Sequence, residues 1–197
     1  MKQGRRELNK IQCRSRILKM SRRLFTAKGY EETTMEDVAE AAEVSKATLY
    51  NYFSSKESLL MGIADAALEE IRQLVDVDMA DEPDALVKLR RVLETLALDS
   101  VRYISLTRKI LYLNSSPESD LYVTRQEIQR ILEQLIARAR DAGQLRQDIP
   151  AEETVEMFMG VYLMTQFAWR DIADYSDAYC AERVNRAVDH LLEGLAP

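Results

Sequence analysis

The sequence predicts an all-α protein of about nine helices, three or four in an N-terminal head and five in a larger C-terminal body. Three observations carry this. The 197 residues include only six Gly and four Pro, while Ala, Leu, Glu and Arg are abundant. Apolar residues recur at helical spacing along most of the chain. Helix-start residues crowd one stretch, where Thr34, Ser45 and Ser54 open three helices within about 20 residues. Hydrophobic residues make up 47% of the chain, ample for a core in one or two small domains.

Taken in order, residues 1–6 (MKQGRR) are expected to form a basic, disordered arm. From Glu7 to Lys28, Leu8, Ile11, Ile17, Leu18, Leu24 and Phe25 fit one helix face, and Gly29 ends it as a left-handed cap. Thr33 to Phe53 then spaces Val38, Ala39, Ala42, Val44, Leu49 and Tyr52 as two short, steeply crossing helices require. This is a helix-turn-helix. Thr34, answered by Asp37, caps its first helix, and Ser45 caps the second. Ser54 with Glu57 reads as the capping box of a fourth helix, from about Ser55 to Val75. The acidic stretch DVDMADEP is a loop, with Pro83 suited to the first turn of the next helix. Ala85 to Asn114 is helical in pattern, with a kink near Asp99–Ser100. Ser116 as cap and Pro117 at the first position open a helix that Gly143 closes. Pro150 opens another, running to about Ile172, and the last spans about Ser176 to Leu195.

The outward residues of the second short helix are donors and a cation. Ser45 and Lys46 lie at its N-terminus, where the helix dipole favours a phosphate; Thr34 is placed alike on the preceding helix, and Lys56 can clamp from the fourth. Thr48 and Asn51 suit base edges, since Asn pairs bidentately with adenine and the Thr methyl meets a thymine methyl. Tyr50 and Tyr52 suit backbone contact, Tyr52 from a half-buried position, and Ala47 permits close approach. The same spacing also fits a plain three-helix core with a solvated face.

The wording of the stretch is more specific than its spacing. VSKATLYNYFSSKESLL, from Val44 to Leu60, together with FTAKGYEETTMEDVAEAA upstream, resembles the N-terminal signature of TetR-type repressors over roughly residues 10–65. The family often has Gly where this chain has Glu43, and a left-handed turn there costs a non-Gly residue about 1 kcal/mol. The resemblance implies a DNA-binding head (7–60) and a helical ligand-binding, dimerising body (61–197), with the DNA-facing roles above at the matching positions. It also implies that a ligand in the body moves the two heads apart and releases the operator.

A net charge of −6 fits a DNA binder only when divided. Residues 1–60 hold 12 Lys/Arg against 8 Asp/Glu, and residues 61–197 hold 15 against 25. A basic head on an acidic body orients docking on phosphate. One short recognition helix reads few base pairs, so the expected partner is a near-palindromic double-stranded DNA operator bound by a homodimer. The last two helices are the expected interface, because ETVEMFMGVYLMTQFAW is apolar on more than one face and Gly160 permits close approach. Tyr103, Tyr112, Phe158, Tyr162, Gln166 and Trp169 are the expected pocket residues for an apolar or aromatic small-molecule effector, with Arg102 and Arg108 as further polar anchors. The same aromatics also suit an ordinary core.

Other classes have little support. No apolar run approaches the roughly 18 residues of a membrane span, and no signal-peptide pattern appears, so a cytoplasmic protein is expected. Cys13 and Cys180 lack a CxxC partner, and reduced thiols are expected. One His, His190, and two distant Cys offer no metal-ligand spacing. Neither a cofactor nor an enzyme motif is present, and a Cys180–His190 pairing has nothing else behind it. The alternative to a regulator is a helical interaction module of the same fold without sequence-specific DNA binding.

Overall fold

The structure, a computed structural model, describes residues 2–165 and 176–197. Among these residues it contains nine α-helices. The head is built from α1 (Lys2–Ala27), α2 (Met35–Ala41), α3 (Lys46–Tyr52) and the first half of α4 (Lys56–Gln73). A π-helical turn, Leu74–Asp78, extends α4. The body adds α5 (Ala85–Arg102), α6 (Ile104–Leu113), α7 (Leu121–Asp141), α8 (Ala151–Met164) and α9 (Asp177–Leu195).

Several caps form where the local chemistry places them. Thr34 and Asp37 make a reciprocal capping box. Ser45 accepts from the Thr48 amide. Gly29 (φ +96°) and Gly143 (φ +70°) both take the left-handed conformation, which costs glycine little. Glu43 takes φ +53° in the turn between α2 and α3, the strained turn that the missing glycine implied.

Other boundaries differ from expectation, each for a local reason. The N-terminal arm is helical from Lys2, because no proline or competing cap stops the helix from propagating backwards. Leu8 and Ile11 stand exposed on it, and the buried stripe starts at Ile17. The α4 cap is Ser55, not Ser54: the chain stays extended through Ser55, and Ser58 rather than Glu57 completes the box. Pro83 precedes the α5 cap, Asp84. The break between α5 and α6 falls at Tyr103 rather than Asp99–Ser100, which turns Leu106 into the head core. Ser116 and Pro117 do not start α7. The Ser116 hydroxyl is held by Glu118, and a turn from Ser116 to Ser119 delays the helix to Leu121. The expected continuation of α8 to Ile172 lies outside the described residues beyond Thr165.

Two buried clusters result. The head cluster centres on Ile17, Phe25, Val38, Leu49, Leu59 and Leu60, and also takes in Leu106 of α6 and Leu121 of α7. Gly62 lets α1 and α4 meet there: a Cβ would fall 2.8 Å from the Phe53 ring and 2.9 Å from Leu18. The body cluster joins the end of α4 (Ile71, Val75) to α5, α7, α8 and α9 around Leu89, Leu93, Leu132, Ile136 and Phe158. The long helix α4 therefore belongs to both cores. Cys13 is half-buried in the head and Cys180 buried in the body. Among the described residues no helix is long and apolar enough to cross a membrane.

Candidate functional site

α3, the second helix of the helix-turn-helix, buries Leu49 completely, leaves Thr48 and Tyr52 half-buried and exposes its other side chains. Its start is tightly organised. Ser45 Oγ accepts from the Thr48 amide at 3.1 Å and pairs with the Thr48 hydroxyl at 2.8 Å. Ala47, Tyr50 and Asn51 are exposed, and no hydrogen bond occupies the Asn51 amide among the described residues. Tyr52 is half-buried against the head core, and its hydroxyl is shifted upward, first by burial and then by Cys13. Lys46 is exposed but pairs with Glu36 of α2 at 2.9 Å, and this hydrogen bond holds the Glu36 carboxyl below its usual range.

The flanking groups are held as firmly. Thr34 Oγ1 accepts from the Asp37 amide at 3.1 Å, while the Thr34 amide donates to Asp37 at 2.8 Å. Lys28 pairs with Asp37 at 2.6 Å and, with the Thr34 amide, lowers its carboxyl to about 2. Lys56, expected as a free clamp, has two of its three N–H donors on the carbonyls of Tyr30 and Glu31, each at 3.0 Å. It pins the α1–α2 connection to α4, and one donor remains. Sequence reasoning missed Glu36 and Lys28, because their pairings cross from one helix to another.

In the body, a cavity of about 410 Å³ lies between α4, α5, α6, α7 and α8. Of the expected pocket residues, Tyr103 and Tyr162 line it. Tyr162 is buried and accepts a hydrogen bond from Ser100 at 3.0 Å; burial pushes its phenol upward. Phe158 is fully buried in the body core instead, on the side of α8 turned from the cavity. Tyr112 is 76% exposed, because the inward face of α6 runs through Thr107, Ile110, Leu111 and Asn114. Gln166 and Trp169 lie outside the described residues. The cavity also has lining that composition did not point to: apolar Ile110, Ile128 and Met159, and polar Asn114, Arg125 and Gln129.

Head and body meet at the cavity wall. Arg22 of α1 pairs with Asp99 of α5, its guanidinium lies 3.9 Å over the Tyr103 ring, and all three residues line the cavity. The Arg22 Nε is buried without a hydrogen-bond partner. Glu70 of α4 stands close by; burial, and then Asp99, shift its carboxyl upward against the pull of Arg22. A second bridge joins Lys109 of α6 to Glu31 at 2.8 Å.

Residues 17–63 match the family model of bacterial regulatory proteins of the tetR family, and residues 82–197 match that of the SbtR-like transcriptional regulator C-terminal domain. The chain belongs to the TetR family. It is a DNA-binding transcriptional regulator with an N-terminal helix-turn-helix, in a family of regulators rather than enzymes. It is similar to IcaR of Staphylococcus aureus strain Newman, the negative transcriptional regulator of the biofilm operon icaADBC. The two are 25% identical over 162 residues, covering 80% of this chain and 82% of IcaR. Among solved structures it resembles two from Thermus thermophilus. The repressor FadR, in complex with lauroyl-CoA, is 26% identical with a TM-score of 0.60, over 93% of this chain and 95% of FadR. The regulator PfmR is 26% identical with a TM-score of 0.67, over 92% of this chain and 99% of PfmR. The TetR-family head thus spans the caps and outward side chains of α2 and α3 described above.

Proposed function

We propose that this TetR-family regulator is a ligand-released repressor that binds a near-palindromic double-stranded DNA operator as a homodimer, in the bacterial cytoplasm. The carrying observation is α3, whose one buried residue, Leu49, is sealed in the core while Lys46, Ala47, Thr48, Tyr50 and Asn51 are left accessible on a capped, fixed frame. Thr34, Ser45, Lys46, Tyr50 and Tyr52 contact the phosphate backbone, and the third donor of Lys56 reaches it too. Thr48 and Asn51 meet base edges, with Ala47 allowing close approach. On DNA, Lys46 exchanges Glu36 for a phosphate.

The head is residues 7–60 and the effector-binding, dimerising body residues 61–197. Dimerisation uses α8 and α9. Met157 and Met164 stand 39% and 55% exposed, two turns apart on the same face of α8, a stripe that a second copy would cover. The effector is a small molecule with an apolar part, seated in the cavity with Tyr103 and Tyr162. FadR, which carries lauroyl-CoA, is a relative whose ligand has such a part. Occupancy reaches the head through α4 and the Arg22–Asp99 pair, which changes the spacing of the two heads.

Selection of bound sequences from a random DNA pool, at fixed physiological salt, tests this reading. An enriched near-palindrome is expected, with half-sites about one helical turn apart or a modest multiple of it. Weak, salt-sensitive binding with no enriched sequence would favour the same fold without sequence-specific recognition.

A further inference from the structure

The cavity has an unequal distribution of polar groups, and one corner of it is furnished for an anion. Asn114 follows the last turn of α6 and is only 8% exposed. It lines the cavity, and its side-chain amide has no hydrogen-bond partner among the described residues. The fully buried side-chain N and O atoms without a partner among the described residues are Arg22 Nε and Arg140 Nε, so the Asn114 amide is open to the cavity, where a bound group can reach it. Arg125 stands just beyond the turn that Asn114 begins, one turn into α7, and Gln129 lies one turn further on the same face. Both line the cavity, and neither has a hydrogen-bond or ion-pair partner among the described residues.

The acidic groups of the cavity are placed elsewhere. Asp99 is taken by Arg22 at the α5–α6 junction. Glu156 is on α8, which returns antiparallel to α7 with Arg140 on Thr154 at 2.9 Å. That register puts Glu156 roughly 20 Å along α7 from Arg125. Asp65 meets the Thr124 hydroxyl at 3.5 Å but does not line the cavity. Between the two polar ends the walls are apolar, with Ile110, Leu111, Ile128, Met159 and Leu163. The α6 wall is ten residues long, or about 15 Å.

We propose that the cavity takes an elongated apolar molecule ending in a carboxylate, with the carboxylate held by Arg125 and Asn114 at the α6–α7 corner. This rests on the reading of the cavity as the effector site and names the class of effector. A guanidinium and an amide donor together suit a carboxylate, and a charge-assisted hydrogen bond is worth more than a neutral one. Among the described residues no acid lines that corner of the cavity to meet an ammonium group, and an alcohol forgoes the charge.

Isothermal titration of the full chain with decanoate, decan-1-ol and decylamine, below their micelle concentrations, tests it. Decanoate should bind at least about tenfold tighter than decan-1-ol, with decylamine weaker still. Arg125→Gln should bring decanoate down to the alcohol, and Arg125→Lys should keep most of the preference. Gly160→Leu supplies the control for the cavity itself: Gly160 lines it, and a Cβ there meets nothing within 4 Å, so the side chain fills space without displacing the fold. It should weaken acid and alcohol alike, and melting temperatures establish that each variant is folded. Equal affinity for acid and alcohol, or a preference that survives Arg125→Gln, would overturn the carboxylate corner while leaving the cavity as a site if Gly160→Leu still weakens both. Absence of binding by all three probes, or binding indifferent to Gly160→Leu, would overturn both readings.

Discussion

The head and the body place their candidate functional side chains in opposite ways. In the head, the outward residues from Ser45 to Tyr52 sit on one short helix, and the hydrogen bonds that set its start join residues three apart. In the body, the cavity draws on α4 to α8 and reaches back to Arg22 of α1. The reading surface is therefore a local object, fixed once its caps form. The cavity is a tertiary object that exists only when distant helices pack. Where they touch, at Arg22, Asp99 and Tyr103, a change in the packing of the body is a change in the support of α1.

The strongest way to break this contrast is to remove the anchor of the local object. Leu49→Ala should destabilise the head by about 2–5 kcal/mol, the range for a fully buried leucine, and abolish operator binding. Thermal melting and a binding titration check it. A melting temperature close to that of the unaltered protein would mean that α3 is held by something other than its core.

Asn51→Ala sharpens the claim that α3 reads bases. It should lose about 1–3 kcal/mol of discrimination at particular operator positions, with little change on random DNA. Competition titrations on single-base operator variants measure this; a uniform loss would make Asn51 a backbone contact.

The seam between the regions is tested by a double-mutant cycle of Arg22→Met and Asp99→Leu. Both side chains keep part of their exposure, so the coupling should be about 1 kcal/mol. Additive effects in denaturant titrations would leave the two regions joined by apolar packing and the Lys109–Glu31 pair.

A smaller effect is expected at Lys46. Lys46→Ala should weaken binding to operator and random DNA alike and flatten the salt dependence by about one phosphate. Glu36→Gln should do the reverse and tighten both, because it frees the lysine from its pair. The smallest effect concerns pH. Asp37 has its folded value at about 2, below its ordinary 3.8, so its contribution is complete above pH 3.8 and is lost as pH falls toward 2. Melting curves of the protein and of Asp37→Asn should converge across that window.

The same contrast explains what could be read in advance. Thr34, Ser45, Gly29 and Gly143 were legible because a cap is a matter of neighbouring residues. Ser54 and Ser55 offer adjacent, equivalent hydroxyls, and only the extended backbone through Ser55 decides between them. Ser116 has the pattern of a cap, but Glu118 takes its hydroxyl. The outward face of α3 was legible because its residues are contiguous. The cavity was less so: aromatic composition singled out Tyr103 and Tyr162 but also Tyr112, which faces outward, and Phe158, which fills the core. Asn114, Arg125 and Arg22 are ordinary residues in the sequence and acquire meaning only from what packs around them.

The proposed dimer places two copies of the chain on one palindrome. Sedimentation of the protein on its selected operator, and on a single half-site of it, measures this most directly. Two protomers on the full site, with the half-site bound far more weakly, is the expected result. One protomer on the full site, with equal affinity for the half-site, would contradict it.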